Sequence, residues 1–204
     1  MTGDPGDNSV ILMTPSDALT AAADRSVTGR TVAPAKLAHV VLRSRSFADA
    51  QEWWATLLGA HVVFANDFIA FLTYDDEHHR LALLNYGEGA PDQGEGVGMD
   101  HLAFTFASLG DLLETYVRLR DADVAPIWTI NHGPTTSIYY RDPDGIQVEL
   151  QIDNFPTLEA LEAWFATGAF ATNPIGIEFD PDELVARFEA GEPVEDLVAW
   201  PTEP

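Results

Sequence analysis

Apolar and polar positions alternate through AHVVL (38–42) and HLAFTF (101–106), and behind each stretch apolar residues return at spacings of three and four. Alternation lines one face of a strand, whereas the three-four spacing draws one apolar stripe along a helix. The pattern therefore predicts a strand followed by a helix, twice. Three shorter runs follow each helix: HVVFAN, FIAFLTY and HRLALLNY in the first half, and APIWTI, TSIYYRD and IQVELQI in the second. Each is bounded by turn-forming residues and predicts a strand. Further on, TLEALEAWFATG and DPDELVARFEAG carry helical spacing and end at glycine, a common helix stop.

The two halves are copies of one plan. LAHVVLRSRSFADAQEWWATLLGAHVV, from Leu37, and MDHLAFTFASLGDLLETYVRLRDADVA, from Met99, align at a constant offset of 62. The offset pairs His39 with His101, Phe47 with Leu109, Asp49 with Asp111, Leu57 with Leu119 and Ala60 with Ala122. The expected fold is α+β, with two tandem βαβββ units. Residues 1–34, rich in Gly, Asp, Ser, Thr and Ala, form an N-terminal arm with one helical candidate, TPSDALTAAADRS. Residues 35–153 form the paired domain, with units at about 36–88 and 98–153 joined by the Gly-, Pro- and acid-rich linker 87–98. Residues 154–204 form a helical tail that packs on the domain.

Composition narrows the partners. A net charge of -23, from 33 acidic and 10 basic side chains, repels phosphate backbones and anionic membranes, so neither nucleic acid nor a membrane is expected. With no cysteine there is no disulfide, thiolate metal site or cysteine nucleophile, and any metal must use His, Asp or Glu. The opening MTGDPGDNSV has no basic segment leading into an apolar one, and no stretch approaches a membrane span, so a cytoplasmic protein is expected.

Glu149 stands out in this pattern. It follows the Asp-Pro-Asp-Gly turn at 142–145 and sits among Ile146, Val148 and Leu150. Alternation alone allows a solvent-facing position, and a histidine taken singly is more often a satisfied core or strand-edge residue. The equivalence of His39 and His101 under the repeat sets them apart from single histidines, and a divalent cation would offset the cost of burying a carboxylate.

A His on the first strand of each unit and a Glu on the last strand of the second resemble the vicinal oxygen chelate superfamily over roughly residues 36–153. In detail the chain is similar to small type I extradiol ring-cleaving dioxygenases. The resemblance implies a half-open mixed β-barrel around a metal held by His39, His101 and Glu149. It implies Fe(II), with Mn(II) open to the same ligands, a catechol-type aromatic diol and O2 as substrates, and a homo-oligomer. In DDEHHRLALLNY, His79 matches the family's catalytic acid/base, and His78 is read as outside the site. Tyr139, ten residues before Glu149, matches the tyrosine that hydrogen-bonds the bound diol, and Tyr140 alternates to the other face as packing. His132 matches a further substrate-contacting histidine, at a separation from Tyr139 that differs by a couple of residues from larger members. Phe71, Trp128 and Phe155 are candidates to stack on a planar substrate. His61 has no counterpart. Glyoxalase-type relatives carry ligands on the last strand of both units, and RLALLNY has none after His79, which favours an oxygenase. A glyoxalase- or epimerase-like isomerase and a ligand-sequestering resistance protein remain as alternatives.

Overall fold

The computed structural model describes residues 33–91 and 99–200. The chain divides into two units, Met1–Leu37 and Ala38–Pro204. Of the first, residues 33–37 are described and exposed; the helical candidate of the arm lies outside the described residues, as does 92–98 of the linker.

Within the second unit the tandem βαβββ plan is realised. β1 (Val40–Ser44), α1 (Phe47–Leu58), β2 (His61–Ala65), β3 (Ile69–Thr73) and β4 (Leu81–Asn85) form the first copy. β5 (His101–Thr105), α2 (Leu109–Asp121), β6 (Trp128–Asn131), β7 (Thr135–Arg141) and β8 (Gln147–Asp153) form the second. α1 and α2 begin at positions that the offset of 62 pairs, Phe47 and Leu109. The remainder is α3 (Leu158–Ala166), α4 (Ala169–Thr172), β9 (Ile177–Glu178), α5 (Pro181–Glu189) and α6 (Val194–Leu197). Both predicted tail helices form; α4, β9 and α6 carry too few residues to leave a period in the sequence.

The strands make two open sheets, ordered β1-β4-β3-β2 and β5-β8-β7-β6-β9. In each, the helix carries the chain across to the far side, and a three-strand meander brings the last strand back parallel to the first. Local signals fix the ends. Gly59 closes α1 at φ +60, where a β-carbon would be strained, and Ser108 caps α2 by accepting the Asp111 N–H at 3.1 Å. Pro181 opens α5 behind the cap Asp180.

Trp54, Leu57, Leu119, Ile138, Tyr140, Val148 and Leu150 are fully or almost fully buried in one core shared by both copies. The Asp-Pro-Asp-Gly turn ties the copies together. Asp142 Oδ1 accepts from the N–H groups of Asp144 and Ile146 at 2.9 and 2.8 Å, and Oδ2 accepts from Trp54 Nε1 on α1 at 3.1 Å. Burial raises the Asp142 carboxyl above its usual range, against these three bonds. Asp144 accepts from the Arg45 and Ser46 N–H groups at 3.0 and 3.2 Å and from the Ser44 hydroxyl. Because β8 is pinned at this turn, Val148, Leu150 and Ile152 enter the core, and alternation turns Glu149 to the opposite face.

Candidate active site

Register decides which side chains share that face. β7 and β8 pair Tyr139 with Glu149, and β5 and β8 pair Ala103 with Glu149, so His101, two residues before Ala103, stands on the same side as the carboxylate. His101 Nε2 lies 3.0 Å from Glu149 Oε2. Glu149 is only 5% exposed. The other nitrogen, His101 Nδ1, lies 2.8 Å from Asp100 Oδ2. A carboxylate accepts, so Nδ1 carries a proton, and in the neutral ring the Nε2 lone pair faces the Glu149 oxygen. Two lone pairs at that distance require a cation or a second proton between them.

The His101–Glu149 pair offers two donors of the kind a divalent metal takes, with His39 lying in the other cluster. An imidazole nitrogen and a carboxylate oxygen facing one another at 3.0 Å could both serve one cation, and the Asp100 contact is the kind of outer partner that orients a ligating imidazole.

Tyr139 completes the second-sheet cluster. Its ring meets that of His101 edge-on at 5.5 Å, and its hydroxyl lies 3.0 Å from His132 Nε2. Burial first, and then the nearby Glu149 charge, push the Tyr139 phenol far above its ordinary range. The hydroxyl therefore keeps its proton at neutral pH. Trp128, opposite Tyr139 in the β6–β7 ladder, lies tilted against it with centroids 5.1 Å apart and meets His132 edge-on at 5.5 Å.

The first sheet brings a second group together. His39, one residue before β1, rests against His79 with ring centroids 4.3 Å apart, and Phe71 stacks on the other side of His79 at 4.4 Å and 13°. Burial, followed by the neighbouring His39 and His78 charges, lowers the His79 pKa below the usual imidazole value. His78, read from the sequence as outside the site, has its Nδ1 2.6 Å from His79 Nδ1.

The structure thus joins His101, Glu149, Tyr139 and His132 in one cluster and His39, His78 and His79 in another. Among the described residues, no group of three or more His, Asp and Glu side chains is close enough to hold one ion. Of the candidate stacking residues, Phe71 and Trp128 stand beside these clusters, whereas Phe155 packs on Trp164. Tyr140 is fully buried in the core, as alternation requires. Sequence reasoning missed Asp100, although it adjoins His101, and the carbonyl of Ile175, which hydrogen-bonds His132 Nδ1. A backbone acceptor leaves no signal in residue type.

Ladder register also tests the asymmetry between the copies. Val41 pairs with Ala82 where Ala103 pairs with Glu149, so Ala82 holds the first-sheet position equivalent to the carboxylate. A fourth ligand of the glyoxalase kind has no side chain there.

Comparison with known proteins agrees with this frame. The family model of the Glyoxalase/Bleomycin resistance protein/Dioxygenase superfamily matches residues 36–150. Biphenyl-2,3-diol 1,2-dioxygenase 3 of Rhodococcus globerulus is 45% identical over 174 residues, covering 83% of this chain and 91% of the relative. Biphenyl-2,3-diol 1,2-dioxygenase 2 of the same organism is 43% identical over 171 residues, 82% of this chain and 90% of the relative. Among solved structures, the glyoxylase/bleomycin resistance protein/dioxygenase domain from Frankia sp. EAN1pec superposes with a TM-score of 0.50 at 23% identity, covering 59% of this chain and 99% of that one, a likeness of fold. No helix among the described residues is long and apolar enough to cross a membrane. The chain belongs to the glyoxalase/bleomycin resistance protein/dioxygenase superfamily, as a relative of the biphenyl-2,3-diol 1,2-dioxygenases.

Proposed function

We propose that this ring-cleaving dioxygenase is an Fe(II)-dependent extradiol enzyme that opens a catechol-type aromatic diol with O2, with His39, His101 and Glu149 as its metal ligands. The observation that carries the reading is the buried Glu149 carboxylate, 3.0 Å from an imidazole nitrogen and opposite a protonated tyrosine, in a chain 45% identical to a biphenyl-2,3-diol dioxygenase. Two imidazoles and one carboxylate are the donor set of non-haem oxygenases that leave positions free for substrates. When bound, Fe(II) supplies a Lewis acid for the two diol oxygens and a path for electrons from the ring to O2.

The chain's own residues supply position and proton control. His79, held neutral by burial beside Phe71, accepts a proton from a diol hydroxyl and returns it as the ring opens. Tyr139, which keeps its proton, donates to a diol oxygen as negative charge gathers there. Trp128 and Phe71 offer flat apolar faces to a planar ring. Burial of Glu149 keeps competing water from the carboxylate. The fold divides into the arm 1–34, the paired domain 35–153 and the tail 154–204 in this reading. The enzyme works as a homo-oligomer in the cytoplasm, where reducing conditions keep iron ferrous; Mn(II) suits the same donors.

Anaerobic reconstitution with Fe(II), followed by oxygen-uptake measurements with a panel from catechol to 2,3-dihydroxybiphenyl, tests the proposal. Stoichiometric oxygen consumption with a yellow ring-opened product is expected. Iron-loaded protein that consumes no oxygen with any diol overturns it.

A further inference from the structure

We propose that the C-terminal segment Asn173–Glu178 holds His132 in its Nδ1-protonated form and thereby sets the direction of the Tyr139 hydroxyl hydrogen bond. The inference rests on the dioxygenase reading for its consequence, but its geometry stands independently. His132 Nδ1 is hydrogen-bonded to the Ile175 carbonyl. A carbonyl has no proton to give, so Nδ1 carries it. In a neutral imidazole Nε2 is then a bare acceptor, and the Tyr139 hydroxyl 3.0 Å away donates to it. The opposite tautomer would turn a lone pair on Nδ1 toward the carbonyl oxygen and make Tyr139 an acceptor.

The segment is built to present that carbonyl. Asn173 Oδ1 accepts from the N–H groups of Ile175 and Gly176 at 3.2 and 3.0 Å, and Asn173 Nδ2 donates to the Gly176 carbonyl at 2.8 Å. Gly176 has φ +125, and a β-carbon there would meet the Asn131 carbonyl oxygen at 2.4 Å, so the segment can lie this close to β6 only with glycine. β9 then pairs Ile177 with Asn131 and Glu178 with Ile130. Glu178 Oε1 also accepts from Trp128 Nε1 at 2.7 Å. One short segment thus grips both residues that flank Tyr139.

The consequence is selectivity for developing charge. While a neutral imidazole holds the Tyr139 proton, the phenol oxygen turns lone pairs toward the cleft, and an incoming diol meets an acceptor for its O–H. Once a diol oxygen becomes an anion it is a stronger acceptor than His132, and the Tyr139 proton swings to it. His132 and the segment behind it are positioning residues for that swing.

The test is imidazole 15N NMR on the full-length chain, loaded with diamagnetic Zn(II) and held at about pH 8 so that histidines are neutral. His132 should show a protonated Nδ1 and an unprotonated Nε2. Asn173→Ala should lower the ratio of the Nδ1–H to the Nε2–H form by about fivefold, the worth of one net hydrogen bond. Asn173→Asp, which keeps the Oδ1 acceptor, should restore it. In the iron enzyme, kcat should fall with the tautomer ratio while KM stays within about twofold, because ground-state contacts are retained. A wild-type His132 protonated at Nε2 overturns the proposal whether or not any variant folds, and so does an Asn173→Ala protein with an unchanged ratio. The two readings fail separately: absent oxygen uptake with an Nδ1-protonated His132 removes the dioxygenase reading alone, and an active enzyme with an Nε2-protonated His132 removes this one alone.

Discussion

Replacing Glu149 by Gln preserves volume, removes the charge and separates the stability role of this residue from its proposed ligand role. The carboxylate is 5% exposed, between buried Val148 and Leu150 in sequence, with its Oε2 3.0 Å from His101 Nε2. Removing the charge gives up a charge-assisted hydrogen bond worth about 1.5–3 kcal/mol. It also removes a desolvation penalty of several kcal/mol, and the Gln amide can still donate to His101 Nε2. The metal-free variant should therefore be as stable as the wild type or more stable by about 1 kcal/mol, a rise of about 2–4 °C in Tm for a chain of this size. Metal reverses the order. At a thousandfold excess over Kd, binding stabilises the wild-type chain by about 4 kcal/mol, and the variant, with a neutral amide in place of an anionic oxygen, should gain little. Urea denaturation under argon, with a chelator and then with Fe(II), measures both quantities. A metal-free variant more than about 2 kcal/mol less stable than the wild type would make Glu149 a structural residue. Equal stabilisation of both proteins by Fe(II) would remove it from the ligand set.

His79→Ala should retain iron, as read by metal analysis, while kcat drops about 10²–10⁴-fold; loss of iron in parallel with activity would refute the acid/base role. Because burial and the neighbouring imidazoles lower the His79 pKa, its proton-accepting form persists below the ordinary value of 6.5, and the acid limb of kcat/KM should fall below that pH and vanish in His79→Ala. The adjacent tyrosines should behave oppositely. Tyr139→Phe should reduce kcat about 10-fold or more with little change in stability, whereas Tyr140→Phe should leave kcat unchanged and stabilise the chain by about 1 kcal/mol, since the buried Tyr140 hydroxyl has no hydrogen-bond partner. Trp54→Phe removes the 3.1 Å bond to Asp142 across the two copies and should cost about 1–3 kcal/mol in urea denaturation without altering KM; an unchanged midpoint would show that the turn does not join the halves.

Much of this fold is legible because the chain states it twice. The offset that pairs His39 with His101 also aligns the starts of α1 and α2, and each copy resolves ambiguity in the other. Alternation around Glu149 established that its face differs from that of Val148 and Leu150, and ladder register then set Tyr139 opposite it. What periodicity lacks is any measure of how one sheet is turned against the other. The proximity of His39 to His79, and its separation from the His101–Glu149 pair, therefore had no counterpart in the sequence pattern. The tail was hidden for a different reason. Its contribution to His132 is a carbonyl, which every residue possesses, presented by a turn whose only sequence marks are Asn173 and Gly176. Duplication supplies two similar scaffolds, and the chemistry depends on where they differ. Ala82 stands where Glu149 would be, His79 has no imidazole counterpart in the second copy, and β9 extends only the second sheet. With one carboxylate instead of two, the chain would offer a metal fewer protein donors than a symmetric pair, and the proposed ligand set follows that asymmetry.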